Sequence, residues 1–188
     1  MTDSTKDIAF PHKELTKLGQ DAEPTAQEVR LLQQEVCANA ASIGTTLGGG
    51  AHGHLELVMP NVQCIALGAG TPAFVRPARP PVPAYHGPAG AVATDRENYE
   101  NSLRIHVTCN NVDNKLKQLI IAVIDPIYIK VLADQLLGYS NVTSEQILSH
   151  IANTCGVITQ DNLAENVDKL EAAWDPVTPF ESLVNCTA

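Results

Sequence analysis

The sequence predicts an all-α protein, a helical bundle arranged as two small helical lobes joined by a proline-rich arm. Three observations carry this prediction. Apolar residues recur at spacings of three and four along several stretches, which is typical of a helix with one buried face. Capping residues, prolines and glycines stand where such helices would begin and end. Six of the twelve prolines fall between residues 71 and 93, where a helix cannot propagate.

These signals divide the chain into four segments. Residues 1–24 are predicted to be a flexible N-terminal segment. Residues 25–70 hold a first helix and a segment rich in glycine and histidine. Residues 71–93 form the arm, and residues 94–188 form the helical bundle.

Composition limits the function. The chain has 188 residues, of which 44% are hydrophobic, so it can bury a substantial core. Its net charge of −9 argues against nucleic-acid binding by its own surface, because that binding depends on Lys and Arg. The five cysteines are scattered, which predicts neither a disulfide framework nor a zinc finger and favours a reducing compartment. No secretory signal and no membrane-spanning run is recognisable, so a cytoplasmic location is predicted.

The first helix is predicted between Thr25 and Gly48. Pro24 stands just before it, and Gly48 suits the left-handed residue that closes a helix. The predicted buried face is a stripe of six apolar residues: Val29, Leu32, Val36, Ala40, Ile43 and Leu47.

The segment 47–60, LGGGAHGHLELVMP, is the first candidate for a ligand-binding loop. A phosphate loop needs a lysine after its glycines, and none follows here. A dinucleotide site needs a strand before the glycines, whereas a helix precedes these. We therefore predict that the glycines end the helix and permit close backbone approach. Residues 52–59 are predicted to be an extended stretch that packs into the core through Leu55, Leu57, Val58 and Met59.

His52 and His54 raise the hypothesis of a zinc site that Cys64 or His86 would complete, since alternate residues of an extended segment share a face. Their spacing matches no familiar zinc geometry. The favoured interpretation is that the imidazoles hydrogen-bond to nearby backbone carbonyls. No residue is assigned as a metal ligand.

After the arm, Thr94 and Glu97 form a capping-box pattern that opens a long, broadly helical region. The helical pattern is interrupted near Asn110 and Asn111. Apolar and polar residues alternate over residues 104–109, so a short strand is an alternative there. The predicted apolar positions of the whole region are Tyr99, Leu103, Val107, Leu116, Ile120 and Val123.

Four more helices are predicted. Pro126 opens one over residues 126–138, with an inward face of Tyr128, Val131, Leu132 and Leu136. Thr143 and Gln146 form a second capping box, and Gly156 closes that helix after a stripe of Ile147, Leu148, Ile151, Ala152 and Cys155. Thr159 and Thr178 open the last two helices, and Trp174 is interpreted as a core anchor rather than an interface residue.

His106 and Cys109 are the pair that suggests nucleophilic chemistry, because residues three apart touch on a helix. The favoured interpretation is a small apolar cysteine beside a boundary histidine. The sequence has no aspartic protease motif, serine nucleophile elbow or zinc-protease helix. We therefore assign no catalytic or cofactor-binding residue and predict a protein that is not an enzyme.

Three ordered pieces of the chain resemble the capsid-forming region of the Gag polyprotein of copia-type retrotransposons. They are "PTAQEVRLLQQEVCANAASI", "LGGGAHGHLELVMP" and the stretch that runs from "LKQLIIAVIDPIYIKV" to "WDPVTPFESL". The similarity covers most of residues 10–184, and residues 47–59 together with the stretch from Asn141 to Leu183 are fairly specific as a pair. The resemblance implies a bundle of capsid type in a non-enzymatic structural protein, whose copies assemble into a virus-like particle around the RNA of a transposable element.

In similar polyproteins further capsid helices and a zinc knuckle follow, and this chain stops before them. The resemblance therefore implies a truncated, degenerate or host-retained copy that contacts element RNA only through a C-terminal region missing here.

Two other functions stay open. Residues 75–83, VRPARPPVP, have the P-x-x-P spacing and flanking arginines that aromatic-lined grooves bind. The protein is alternatively a monomeric host interaction module that uses this arm, although an ordinary linker is the favoured interpretation of the same residues. A zinc-dependent enzyme built on His52 and His54 is the third hypothesis.

Overall fold

A computed structural model of the chain describes residues 8–20, 22–67, 72–84 and 88–156. These residues are mostly helical and contain no β-sheet, which confirms the all-α prediction. The helices predicted after Thr159 and Thr178, together with Trp174, lie outside the described residues.

Helix α1 spans Ala26–Ser42 and begins with the predicted cap. Thr25 Oγ1 accepts a hydrogen bond from Glu28 N at 3.2 Å, and Glu28 Oε2 accepts one from Thr25 N at 2.9 Å. This reciprocal pair satisfies two backbone donors that the first turn leaves free. The buried side chains of the helix are Val29, Leu32, Val36, Asn39 and Ala40.

Helix α1 ends at Ser42 rather than at residue 47, so its predicted end is wrong by more than one turn. The reason is tertiary. The chain folds back after the glycines, and His54 N donates to Ala40 O at 3.0 Å, a carbonyl in the last turn of the helix.

Residues 52–59 are not the extended stretch that was predicted. Short 3₁₀ turns occupy Leu47–Gly50 and Leu55–Leu57, and helix α2 follows over Asn61–Leu67. Leu55, Leu57 and Val58 are nevertheless buried, as their apolar character predicted.

Residues 72–84 form no regular secondary structure, which agrees with the predicted arm. Helix α3 then spans Ala89–Val123 and begins inside the segment assigned to the arm. Thr94 is not its cap, because its Oγ1 donates to Gly90 O at 3.2 Å from within the helix. The helix also runs unbroken through residues 104–111, so neither the strand nor the interruption exists. Past Pro88 nothing in the sequence prevents helix formation.

Helix α4, Pro126–Ile129, leads into a 3₁₀ turn at Lys130–Leu132, and the predicted helix over residues 126–138 stops there. Asp134 ends it, because its Oδ1 accepts hydrogen bonds from Leu136 N at 2.8 Å and Leu137 N at 2.9 Å and so stabilises a turn. Val131 and Leu136 are exposed instead of facing inward, while Ile129 is buried.

Helix α5, Ser144–Cys155, matches its prediction closely. Thr143 and Gln146 form the capping box, and Gly156 follows the last turn. Ile147, Leu148 and Ile151 are buried along the predicted stripe.

The described helices share one core. Helices α1, α3 and α5 contact each other pairwise, and one cluster of buried side chains contains residues from both sides of the arm. The arrangement as two small lobes is therefore wrong for the described residues. The arm lies beside a single core because the second half of α3, which carries the buried residues of that helix, packs on α1.

Residues 8–20 belong to the same core, which corrects the prediction of a flexible segment for this part of the chain. Phe10, Leu15 and Leu18 are buried. Leu18 also pairs with the end of α3, since Leu18 N donates to Val123 O at 2.8 Å and Leu18 O accepts from Asp125 N at 2.9 Å. These contacts join the N-terminal segment to the far end of the longest helix.

Candidate functional site

The glycine-rich turn over residues 48–53 has a structural role: it lets the chain fold back onto the end of α1. Gly48, Gly49, Gly50 and Gly53 all have positive φ angles, between 56° and 77°. A β-carbon on Gly53 would lie 2.4 Å from the carbonyl oxygen of Ala41, closer than atoms can approach. A β-carbon on Gly50 would lie 2.8 Å from Thr45 O, so the prediction that the glycines permit close backbone approach is confirmed at Gly50 and Gly53.

The His54 side chain stabilises this turn through a hydrogen bond. The side chain is buried, and its Nδ1 lies 2.8 Å from Ile43 O, to which it donates a hydrogen bond. Burial lowers the pKa of His54, and the hydrogen bond to Ile43 opposes that shift. The imidazole is thus neutral near pH 7 and satisfies a carbonyl beyond the end of α1, as the favoured interpretation predicted.

The zinc hypothesis finds no assembled ligand set. In the parts of the chain that the structure describes, no three His, Cys, Asp or Glu side chains are grouped to hold a metal ion. Cys64 is buried, and desolvation, with smaller contributions from Glu56 and Cys37, raises the pKa of its thiol to about 11. His86, the other proposed ligand, lies outside the described residues.

His106 and Cys109 both lie on α3, but they face different partners. His106 Nδ1 is 2.9 Å from Pro77 O in the arm, and Asn110 Nδ2 donates to His106 Nε2 at 3.0 Å. Cys109 is fully buried, and desolvation raises its pKa, so its thiol stays protonated at neutral pH. The pair is arranged as the structural interpretation predicted, with the histidine holding the arm.

A buried polar cluster that sequence reasoning missed ties the arm to the core. Asp113 is buried on α3, and its Oδ1 accepts a hydrogen bond from the hydroxyl of buried Ser144 at 2.7 Å. Its Oδ2 forms an ion pair with Arg76 of the arm. The available signal was an aspartate at helical spacing from Leu116 and Ile120, where an apolar residue is expected.

Two cavities open on the surface of the described residues. One, of about 490 Å³, lies between the glycine-rich turn and α3, and its lining includes Thr45, Arg104, Ile105 and Thr108. The smaller, of about 360 Å³, lies between α1 and α5 beside Cys37. Both linings mix polar and apolar groups, and the first includes a guanidinium group and hydroxyls.

The most distinctive surface feature is apolar. Four large aliphatic side chains are exposed in α4 and the connection that follows it: Ile127, Val131, Leu136 and Leu137. Sequence reasoning expected two of them inside the core. Aliphatic side chains gathered in this way are typical of interaction surfaces.

The fold and these sites define an all-α protein with one hydrophobic core, a docked extended arm and an exposed aliphatic surface. No family model, no curated protein and no solved structure matches this chain. None of the described helices has the length and apolar character that crossing a membrane requires.

Proposed function

We propose that the protein is a non-enzymatic, Gag-like structural protein that self-associates through surfaces of its helical domain. In this proposal it forms the capsid or virus-like particle of a copia-type retrotransposon, or is a remnant of one, and it acts in the cytoplasm. The resemblance of the three sequence pieces and the all-α fold support the proposal.

The observation that carries self-association is the set of exposed aliphatic side chains in α4 and the connection to α5. The core beneath it is already closed by buried residues of α1, α3 and α5, so these side chains contribute little to the folding of one copy. Burying them against another molecule would remove apolar area from water, which drives association.

Sedimentation velocity and light scattering test the proposal, with protein concentration and salt varied independently. We expect the average mass to rise with concentration, and to rise further with salt, because salt screens the repulsion between copies of charge −9. Electron microscopy of the concentrated sample would then look for particles. A protein that stays monomeric at high concentration and raised salt would refute the proposal.

A second function is supported by the arm. Residues 72–84 form no regular secondary structure, and Val75 and Val82 are exposed. Aromatic-lined grooves bind segments of this kind. The ion pair of Arg76 with Asp113 and the contact between His106 and Pro77 would have to open first.

Titration of the ¹⁵N-labelled protein with a groove-type, proline-binding domain tests this second function. Binding should shift the amide resonances of the five residues between 75 and 83 that are not proline, and Pro80→Ala, which interrupts both P-x-x-P spacings, should abolish the shifts. Shifts that survive this substitution would refute the arm as the ligand. Metal analysis of untagged protein tests the zinc-dependent hypothesis, which stoichiometric zinc would support.

A further inference from the structure

Four exposed side chains define what we call the 127–137 surface. Ile127 is 61% exposed, Val131 73%, Leu136 94% and Leu137 54%. Ile127 and Val131 lie about one helical turn apart in α4 and the 3₁₀ turn that follows it, so they approach each other on one side of that element. Water-exposed aliphatic groups in this number within one short segment need a reason beyond ordinary surface composition.

The backbone of this surface is held in place. Asp134 Oδ1 accepts hydrogen bonds from the amides of Leu136 and Leu137, and Asp134 exchanges two backbone hydrogen bonds with Gly138, at 2.9 and 3.0 Å. Asp125 caps α4 by accepting from Ile127 N at 2.9 Å. The leucines are therefore presented by a closed turn, and binding them requires little further ordering of the backbone.

The charges around the surface are balanced, unlike those of the whole chain. Between residues 126 and 140 the charged residues are Lys130 and Asp134, one of each sign. Asp125 at the cap of α4 and Lys117, whose Nζ donates to Tyr139 O at 3.4 Å, add one more charge of each sign. Among the described residues, neither Lys130 nor Asp134 forms an ion pair within its own chain. The chain carries a net charge of −9, so this neutral segment is where two copies approach with little repulsion.

We infer that the 127–137 surface is the contact between two copies of this chain, related by a two-fold axis that pairs Lys130 of each copy with Asp134 of the other. Such a contact is self-complementary, because the same segment supplies both charges and the aliphatic centre. An anionic lipid surface fits less well, because the two lysines near the surface, Lys117 and Lys130, are balanced by Asp125 and Asp134.

This inference rests on the proposed self-association and names the surface responsible for it. A stable interface buries about 800 Å² on each partner, which is more than four side chains supply. We therefore expect a weak contact, with a dissociation constant above about 1 μM, that becomes effective when many copies are present together.

Sedimentation equilibrium of the full chain and three variants tests the surface. Val131→Asp and Leu136→Asp place a carboxylate at its centre, and Val62→Asp does the same on α2, where the side chain is 80% exposed. We expect the first two variants to weaken association by about tenfold or more, while the Val62 variant stays near the parent protein. All three positions are exposed, so equal urea midpoints would show that the monomer fold is intact.

Lys130→Glu tests the two-fold pairing separately, because it places two carboxylates opposite each other without touching the apolar centre. Association should weaken, and the loss should diminish as salt screens the repulsion. If the parent protein associates and the substitutions at Val131, Leu136 and Lys130 leave it unchanged, the surface is wrong while self-association stands. If the parent protein is monomeric throughout, the proposed function fails and this inference fails with it.

Discussion

Replacing Asp113 by alanine is the sharpest test of how the arm is held. The carboxylate is buried and has two partners on different elements. Its Oδ1 accepts from Ser144 Oγ at 2.7 Å, and its Oδ2 pairs with Arg76, whose side chain is partly exposed. The substitution removes both interactions at once and leaves the Ser144 hydroxyl with the Asp113 carbonyl oxygen, at 3.3 Å, as its remaining acceptor.

The expected loss follows from these contacts. A hydrogen bond to a charged group contributes about 1.5–3 kcal/mol. The partly exposed ion pair adds only about 0–1 kcal/mol because water screens it. The fallback acceptor for Ser144 reduces the penalty on its side, so we expect Asp113→Ala to lower the free energy of unfolding by about 2–3 kcal/mol. Asp113→Asn retains an acceptor for Ser144 and should cost about 1 kcal/mol.

Urea unfolding measures these losses, with the midpoint shifted and the slope unchanged. A double-mutant cycle with Ser144→Ala isolates the buried hydrogen bond, and we expect a coupling energy of about 1 kcal/mol or more. Arg76→Met should lower the free energy of unfolding by less than Asp113→Ala or Asp113→Asn does, because the Arg76 side chain reaches solvent. A loss of less than about 0.5 kcal/mol for Asp113→Ala, or strict additivity with Ser144→Ala, would refute the reasoning.

Three further predictions follow from single residues. Gly53→Ala should destabilise the protein by about 2 kcal/mol or more, because the φ of Gly53 is +56° and a β-carbon would meet Ala41 O. The control Gly90→Ala, in an open helical position, should be neutral or stabilising by up to about 1 kcal/mol. Equal urea midpoints for the two variants would contradict the close approach at Gly53. Cys64, with a pKa of about 11, should react with iodoacetamide at pH 8 about a hundredfold more slowly in the folded protein than in urea. Its ionisation should also lower stability as pH rises from about 9 towards 11, because the unfolded thiol releases its proton first; equal rates in the two states would contradict this. His54 has a pKa below its ordinary value of 6.5, so the unfolded state binds a proton that the folded state does not, and stability should fall as pH drops below about 6.5. His54→Gln should flatten that dependence, measured by urea midpoints across pH, and an unchanged slope would assign the effect to another group.

Two helix N-termini and two buried helix faces were predictable, because they depend on residues close together along the chain. The capping boxes at Thr25 and Thr143 each join residues three apart, and the core stripes of α1 and α5 follow from the helical period. The glycine-rich turn was recognisable for the same reason, since positive φ angles are a local demand on the backbone. His54 was correctly interpreted as a partner of backbone carbonyls.

Most of the errors arose where distant residues decide the outcome. Leu18 pairs with the end of α3, so a segment that looked flexible is part of the core. The error over residues 126–138 was local instead: Asp134 accepts hydrogen bonds from Leu136 N and Leu137 N, and this turn replaced the predicted helix and left Val131 and Leu136 on the surface. Asp113 was not singled out in the sequence, because its partners Arg76 and Ser144 lie more than 30 residues away along the chain.

The sequence by itself determined the all-α class, the capped helix starts and the turn at the glycines, since each of these depends on interactions within about one turn of the chain. The tertiary structure alone decided that one core replaces two lobes, that the arm is tied to α3 through Asp113, and which aliphatic side chains remain exposed. Those outcomes depend on contacts between residues as far apart as Ile8 and Lys115, whose Nζ donates to the Ile8 carbonyl oxygen at 2.6 Å. Local periodicity carries no information about such pairs, because it is their packing in three dimensions that brings them together.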